Sequence, residues 1–106
     1  MSRHDDQVYF KHMLDHAREA ADMMAGRSLT DLRRDRMLEL ALVRLMEIIG
    51  EAASKVSDKT KSSHPQIPWR EMIGMRNRLI HGYDTVDPKV LWDTIAFDLP
   101  PLIAHL

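Results

Sequence analysis

Residues 35–56 read DRMLELALVRLMEIIGEAASKV, and their pattern decides the fold class. Leu38, Leu42, Leu45, Ile49, Ala52 and Val56 recur at the three-and-four spacing of one helical stripe, and Met37, Ala41, Met46, Ile48 and Ala53 widen it. An apolar arc this broad belongs to a helix covered on more than one side, which makes this the central helix of a bundle. Glu47, Glu51 and Lys55 occupy a narrow polar strip at steps of four, where a Glu-to-Lys pair adds slight helical support.

The flanking segments repeat the helical theme. From about Asp6 to Met24, Phe10, Met13, Leu14, Ala17, Ala20, Ala21 and Met24 form one face, and Gly26 supplies a stop. Ser28 and Asp31 have the spacing of a capping box. Ser57 to Ile67 reads as a polar connection, after which Pro68 suits the first position of a third helix that stops at Gly82. Asp87–Pro88 opens a fourth helix with the stripe Leu91, Ile95, Leu99, Leu102 and Leu106. Pro100 and Pro101 cannot donate backbone hydrogen bonds, so a kink or break is expected near Leu99. No segment alternates as a strand does. The expectation is one all-α domain over residues 1–106, an antiparallel bundle of four to five helices.

Composition narrows the function classes. The 106 residues are 44% hydrophobic and 29% charged, an ordinary globular balance. With no cysteine, disulfides and thiolate metal sites are excluded, and a reducing cytoplasm is the expected location. The opening MSRHDDQVYF lacks the apolar region of a signal peptide, and no apolar run approaches membrane-spanning length. Residues 55–81 set Lys55, Lys59, Lys61, Arg70, Arg76 and Arg78 against Asp58 and Glu71, in a chain of formal net charge −1. A basic stretch in an acidic protein suits one anionic partner at one place.

The third helix carries the chemistry. Trp69, Met72, Ile73, Leu79 and Ile80 define its apolar arc, and Arg76 falls near the middle, where a leucine is expected. A charge so placed must be paired or border a wet cleft. His81 ends the same helix, where the helix dipole favours the imidazolium. Asn77, one turn before it, is placed to orient the ring. Arg76 and His81 stand about 140° apart around an ideal helix and do not share a face. Unwinding at Gly82 or a cleft shared by two molecules brings both to one phosphate, and the second also gives a small domain more buried surface. His12 and His16 have a metal-ligand spacing, but no third ligand is apparent, and no metal is assigned.

The run Arg76-Asn77-Arg78-Leu79-Ile80-His81-Gly82-Tyr83 resembles the R-x4-H-x-Y motif of HEPN domains of the HepT kind. Ile48-Ile49-Gly50-Glu51-Ala52-Ala53, His64-Pro65, Ile67-Pro68-Trp69-Arg70-Glu71, Val86-Asp87 and Leu91-Trp92 stand in the order of that family, so the resemblance spans about residues 5 to 103. It implies a dimeric bundle whose Arg/His motifs line a shared cleft, and metal-independent RNA cleavage by a type VII-like toxin. In that scheme Arg76 and His81 are catalytic and Asn77 supports them. Lys59, Lys61, Arg70 and Arg78 hold the RNA backbone. Tyr83 receives AMP from a minimal nucleotidyltransferase antitoxin, which consumes ATP and Mg²⁺, while the chain needs no cofactor of its own. The rival expectation is a non-catalytic module that binds nucleotide or RNA for such a partner.

Overall fold

The computed structural model describes residues 3–81 and 87–106. Its elements are α1 (Arg3–Met24), α2 (Leu29–Arg34), α3 (Arg36–Lys55), α4 (Asp58–Ser63), α5 (Trp69–His81), α6 (Pro88–Asp93), a π-helical turn (Thr94–Asp98) and α7 (Leu99–His105). No strand occurs among the described residues, and none of the helices is long and apolar enough to cross a membrane.

The centre is α3, which packs against α1 on one side and α5 on the other. Its stripe of Leu38, Leu42, Leu45, Ile49 and Ala52 is buried together with Met46 and Ala53. Met13, Ala17, Ala20 and Met24 of α1 and Met72, Met75 and Leu79 of α5 join the same buried cluster. Met37 does not belong to it. It sits in the first turn of α3, beside the Asp35 cap, and is 83% exposed, which corrects the width assigned to the stripe.

Helix ends follow the cap chemistry. Gly26 leaves α1 with φ +73°, the left-handed region that favours glycine. The capping box at α2 is reciprocal. Asp31 N donates to Ser28 Oγ at 3.2 Å, and Ser28 N donates to Asp31 Oδ2 at 2.9 Å. Asp35 caps α3 through Leu38 N at 3.0 Å, and Asp87 caps α6 through Lys89 N at 2.9 Å.

Two segments depart from the reading of the sequence. The stretch after Ser57 is not all connection, because residues 58–63 form α4. That helix has no buried residue, so periodicity could not reveal it, and Ser57 caps it instead. Pro68 stands one position before α5 rather than inside it, with its carbonyl accepting the first helical bond from Met72 N at 3.0 Å. The break expected near Leu99 is the π-helical turn just upstream, and α7 restarts with Pro100 and Pro101 in its first turn. A wider turn there relieves the crowding a proline ring imposes on the carbonyl four residues earlier.

Asp6 ties the start of α1 to the start of α4, just past the end of α3, so α1 and α3 run antiparallel. Its carboxylate is buried and accepts from Ser57 N at 3.1 Å, Ser57 Oγ at 2.7 Å and Thr60 Oγ1 at 2.5 Å. Bonds from the Thr60 and Ser57 hydroxyls, opposed by burial, hold its pKa below the ordinary carboxylate value. A depressed folded pKa contributes stability that is present above the unfolded value, about 3.9, and is lost as pH falls through the folded one. The melting temperature should therefore fall with pH below about 4, and Asp6→Asn should flatten part of that slope. Identical slopes for both proteins between pH 2.5 and 6 would contradict this role.

Candidate functional site

Where α3 and α5 cross, Gly50 lies directly under Arg76. A Cβ at position 50 would collide with Arg76 Cβ and come within 2.7 Å of the Met72 carbonyl oxygen. The absent side chain lets the two backbones approach closely, and this approach sets the start of the Arg76 side chain. Met72, Met75 and Leu79 form the buried centre of α5, so Arg76 occupies the flank of the apolar arc, not its middle.

From that flank the guanidinium meets Glu51. Arg76 Nη2 is 2.6 Å from Glu51 Oε2, and Arg76 Nη1 donates to Asn77 Oδ1 at 3.1 Å. Arg76 Nε is buried and has no hydrogen-bond partner among the described residues. The two side chains remain 30% and 44% exposed, so the pair is a cleft-edge pair and adds at most about 1 kcal/mol of stability. Such a pair does little for the fold. What it does is hold a planar, permanently charged donor fork at one place on the surface.

Glu51 is the residue that sequence reasoning missed. It also lies 3.5 Å from Lys55 Nζ, the local pair its spacing announced, and that pairing gave the carboxylate a sufficient explanation without Arg76. The readable signal was a cation in an apolar arc, which demands a carboxylate from a neighbouring helix. Asn77 sits beside Arg76 and bonds to it directly.

His81 is the last residue of α5, and its ring falls outside the described part of the structure, as do Gly82 and Tyr83. The four residues expected to hold RNA separate into two places. Lys59 borders a cleft of about 600 Å³ with Asp6, Phe10 and His64, and Lys61 stands in the last turn of α4. Arg70 and Arg78 share a cleft of about 310 Å³ with Glu71 and Asp98. Burial, and then the Glu71 charge, push the Asp98 carboxyl above its ordinary value. His16 bonds through Nδ1 to the His12 carbonyl at 2.7 Å. Among the described residues no three His, Asp or Glu side chains gather as a metal site.

Comparisons with known proteins converge. A family model described as "Ribonuclease HepT-like" matches residues 13–106. A protein of Thermococcus cleftensis named "Probable ribonuclease HepT" is 47% identical over 72 residues, 68% of this chain and 66% of its own length. A "Putative RNase" of Caldanaerobacter subterraneus subsp. tengcongensis is 36% identical, covering 89% of this chain and 84% of its own. Another, of Methanocaldococcus jannaschii, is 30% identical, covering 96% and 94%. No solved structure matches the chain at a comparable level.

The close approach at Gly50 reverses the usual effect of a helical alanine. Gly→Ala inside a helix ordinarily stabilises by about 0.5–1 kcal/mol. At position 50 the added methyl meets backbone and a fixed Cβ, and overpacking of this kind costs about 1–3 kcal/mol. Gly50→Ala should thus lower the melting temperature and loosen the Arg76–Glu51 contact. A variant that melts at or above wild type would refute the close approach.

Proposed function

Because the chain belongs to the HepT-like ribonuclease family, we propose that it is an endoribonuclease whose working groups are Arg76 and His81. The observation that carries this reading is the placement of Arg76. It is set in the α3–α5 seam by Gly50, its guanidinium is held by Glu51 and Asn77, and it gives the fold little in return. Charged groups that add little stability and serve no core are where function is to be sought.

The chemistry runs without a metal. The 2′-oxygen of the ribose attacks the adjacent phosphorus, His81 takes its proton or delivers one to the departing 5′-oxygen, and the P–O5′ bond breaks. Arg76 stabilises the charge developing on the equatorial phosphate oxygens, for which its planar fork is suited. Dependence on the 2′-OH restricts the substrate to RNA. Asn77 steadies the guanidinium. Lys59, Lys61, Arg70 and Arg78 hold flanking phosphates without reading sequence.

The active form is a homodimer in which two α5 helices face each other and the Arg76/His81 pairs line one cleft. A minimal nucleotidyltransferase partner inhibits it by transferring AMP from ATP, with Mg²⁺, to Tyr83, adding negative charge and bulk that oppose RNA binding. The pair forms a type VII-like toxin–antitoxin system.

Arg76→Ala or His81→Ala should each lower the rate of RNA cleavage about a hundredfold or more. Arg76→Leu should do the same while leaving the melting temperature near wild type, since the partly exposed pair adds at most about 1 kcal/mol. Cleavage of total RNA and thermal melts of the same preparations check both. Wild-type rates in the variants would refute the assignment, and a wild-type protein that binds RNA without cutting it would favour a binding module. Sedimentation should find a dimer at micromolar concentration, and a stable monomer would contradict the shared cleft.

A further inference from the structure

Glu51 is also a wall of a second space. Between α1 and α3 lies a cleft of about 410 Å³, bordered by Tyr9, His12, Arg44, Glu47, Glu51 and Lys55. That volume lies in the range of small-ligand sites, roughly 300–1,000 Å³. The carboxylate that holds Arg76 therefore stands between the α3–α5 seam and this cleft. Glu51 thus touches Arg76 at 2.6 Å on one side and lines the cleft on the other, which makes the cleft the nearest lined space on that side of the guanidinium's partner.

The lining says what kind of group belongs there. Tyr9 offers an aromatic face, with Lys55 Nζ 6.0 Å from its ring centroid and the His12 ring edge-on at 6.4 Å. Arg44 is matched by Glu47 at 3.3 Å and Lys55 by Glu51 at 3.5 Å, so the wall is close to neutral. A neutral wall with two carboxylates is a poor seat for a phosphate and a good one for an uncharged base. Aromatic stacking holds the face of such a base, and carboxylate oxygens accept from N–H groups on its edge. Guanine alone among the RNA bases presents two adjacent donor positions, N1–H and the 2-amino group, along its Watson–Crick edge. One carboxylate accepts both.

We infer that the Tyr9–Glu47 cleft is a base subsite for a guanine next to the scissile phosphate. Tyr9 stacks on the base, Glu47 accepts from its Watson–Crick edge, and Lys55 swings from the ring toward the adjoining backbone. This rests on the ribonuclease reading for its substrate, but the binding it describes does not require cleavage.

The test uses the full-length protein and short RNAs that differ at the nucleotides flanking the cut: guanosine, inosine, adenosine or an abasic ribose. Wild type should prefer guanosine over the abasic substrate by about tenfold or more in kcat/KM, the scale of one stacked base. Tyr9→Ala should erase most of that preference, and Glu47→Gln should erase the difference between guanosine and inosine, which lacks the 2-amino group. Titration with guanosine 3′-monophosphate, followed by NMR shifts, should show binding that Tyr9→Ala abolishes. Equal rates on all four RNAs together with no nucleotide binding would overturn the subsite while leaving the ribonuclease intact. Tyr9-dependent nucleotide binding by a protein that cuts no RNA would overturn the ribonuclease reading and sustain the subsite. If Tyr9→Ala instead turns a dimer into monomers, the cleft is covered by a second copy and the inference fails.

Discussion

The close crossing of α3 and α5 at Gly50 is the contact on which the site depends. With any larger residue there, α5 would have to move outward, and the Arg76 side chain would start from a different point. Because the helices meet backbone to side chain, Arg76 has its stem against α3 and its head at the rim, where Glu51 and Asn77 meet it. One missing methyl thus converts an ordinary helix crossing into a platform for a fixed cation.

The remainder of the bundle secures that crossing. Asp6 joins the first turn of α1 to Ser57, the cap of α4, and to Thr60 within α4, so the chain is held just past the end of α3 nearer Gly50 and Glu51. Phe10 stacks with Trp69 at 5.8 Å and meets the His64 ring edge-on at 5.2 Å, while Trp69 Nε1 donates to the His64 carbonyl at 3.0 Å. These contacts anchor the start of α5 to α1. The C-terminal helices close the core with Leu91, Ile95, Leu99 and Leu102, and the π-helical turn keeps that stripe facing inward past the two prolines.

Much of this was legible in the sequence, for physical reasons that differ by residue. The stripe of α3 and the Ser28 and Asp87 caps depend on local spacing, and local spacing is what a sequence displays. Helix α4 was not legible, because Asp58–Ser63 buries nothing and its polar residues read equally well as a loop. Arg76 stood out as a charge among apolar neighbours, whereas Glu51 did not, since Lys55 one turn later already accounted for it. Gly50 was hidden for a related reason. A helical glycine that admits a neighbouring helix leaves no mark on its own helix, and only the identity of the residue above it, Arg76, reveals the purpose. Met37 was misread because an apolar residue in a first turn follows the stripe without having a neighbour to cover it.

RNA cleavage by in-line attack of its own 2′-oxygen, assisted by a fixed arginine and a histidine, leaves a chemical signature. The ends of the products report this directly. Mass spectrometry of a short RNA cut by the purified protein in EDTA should find a 2′,3′-cyclic phosphate on the upstream fragment and a 5′-hydroxyl on the downstream one. Fragments ending in a 3′-hydroxyl and a 5′-phosphate, or cleavage that stops when divalent ions are chelated, would mean that water or a metal performs the attack and that Arg76 and His81 do not act as described.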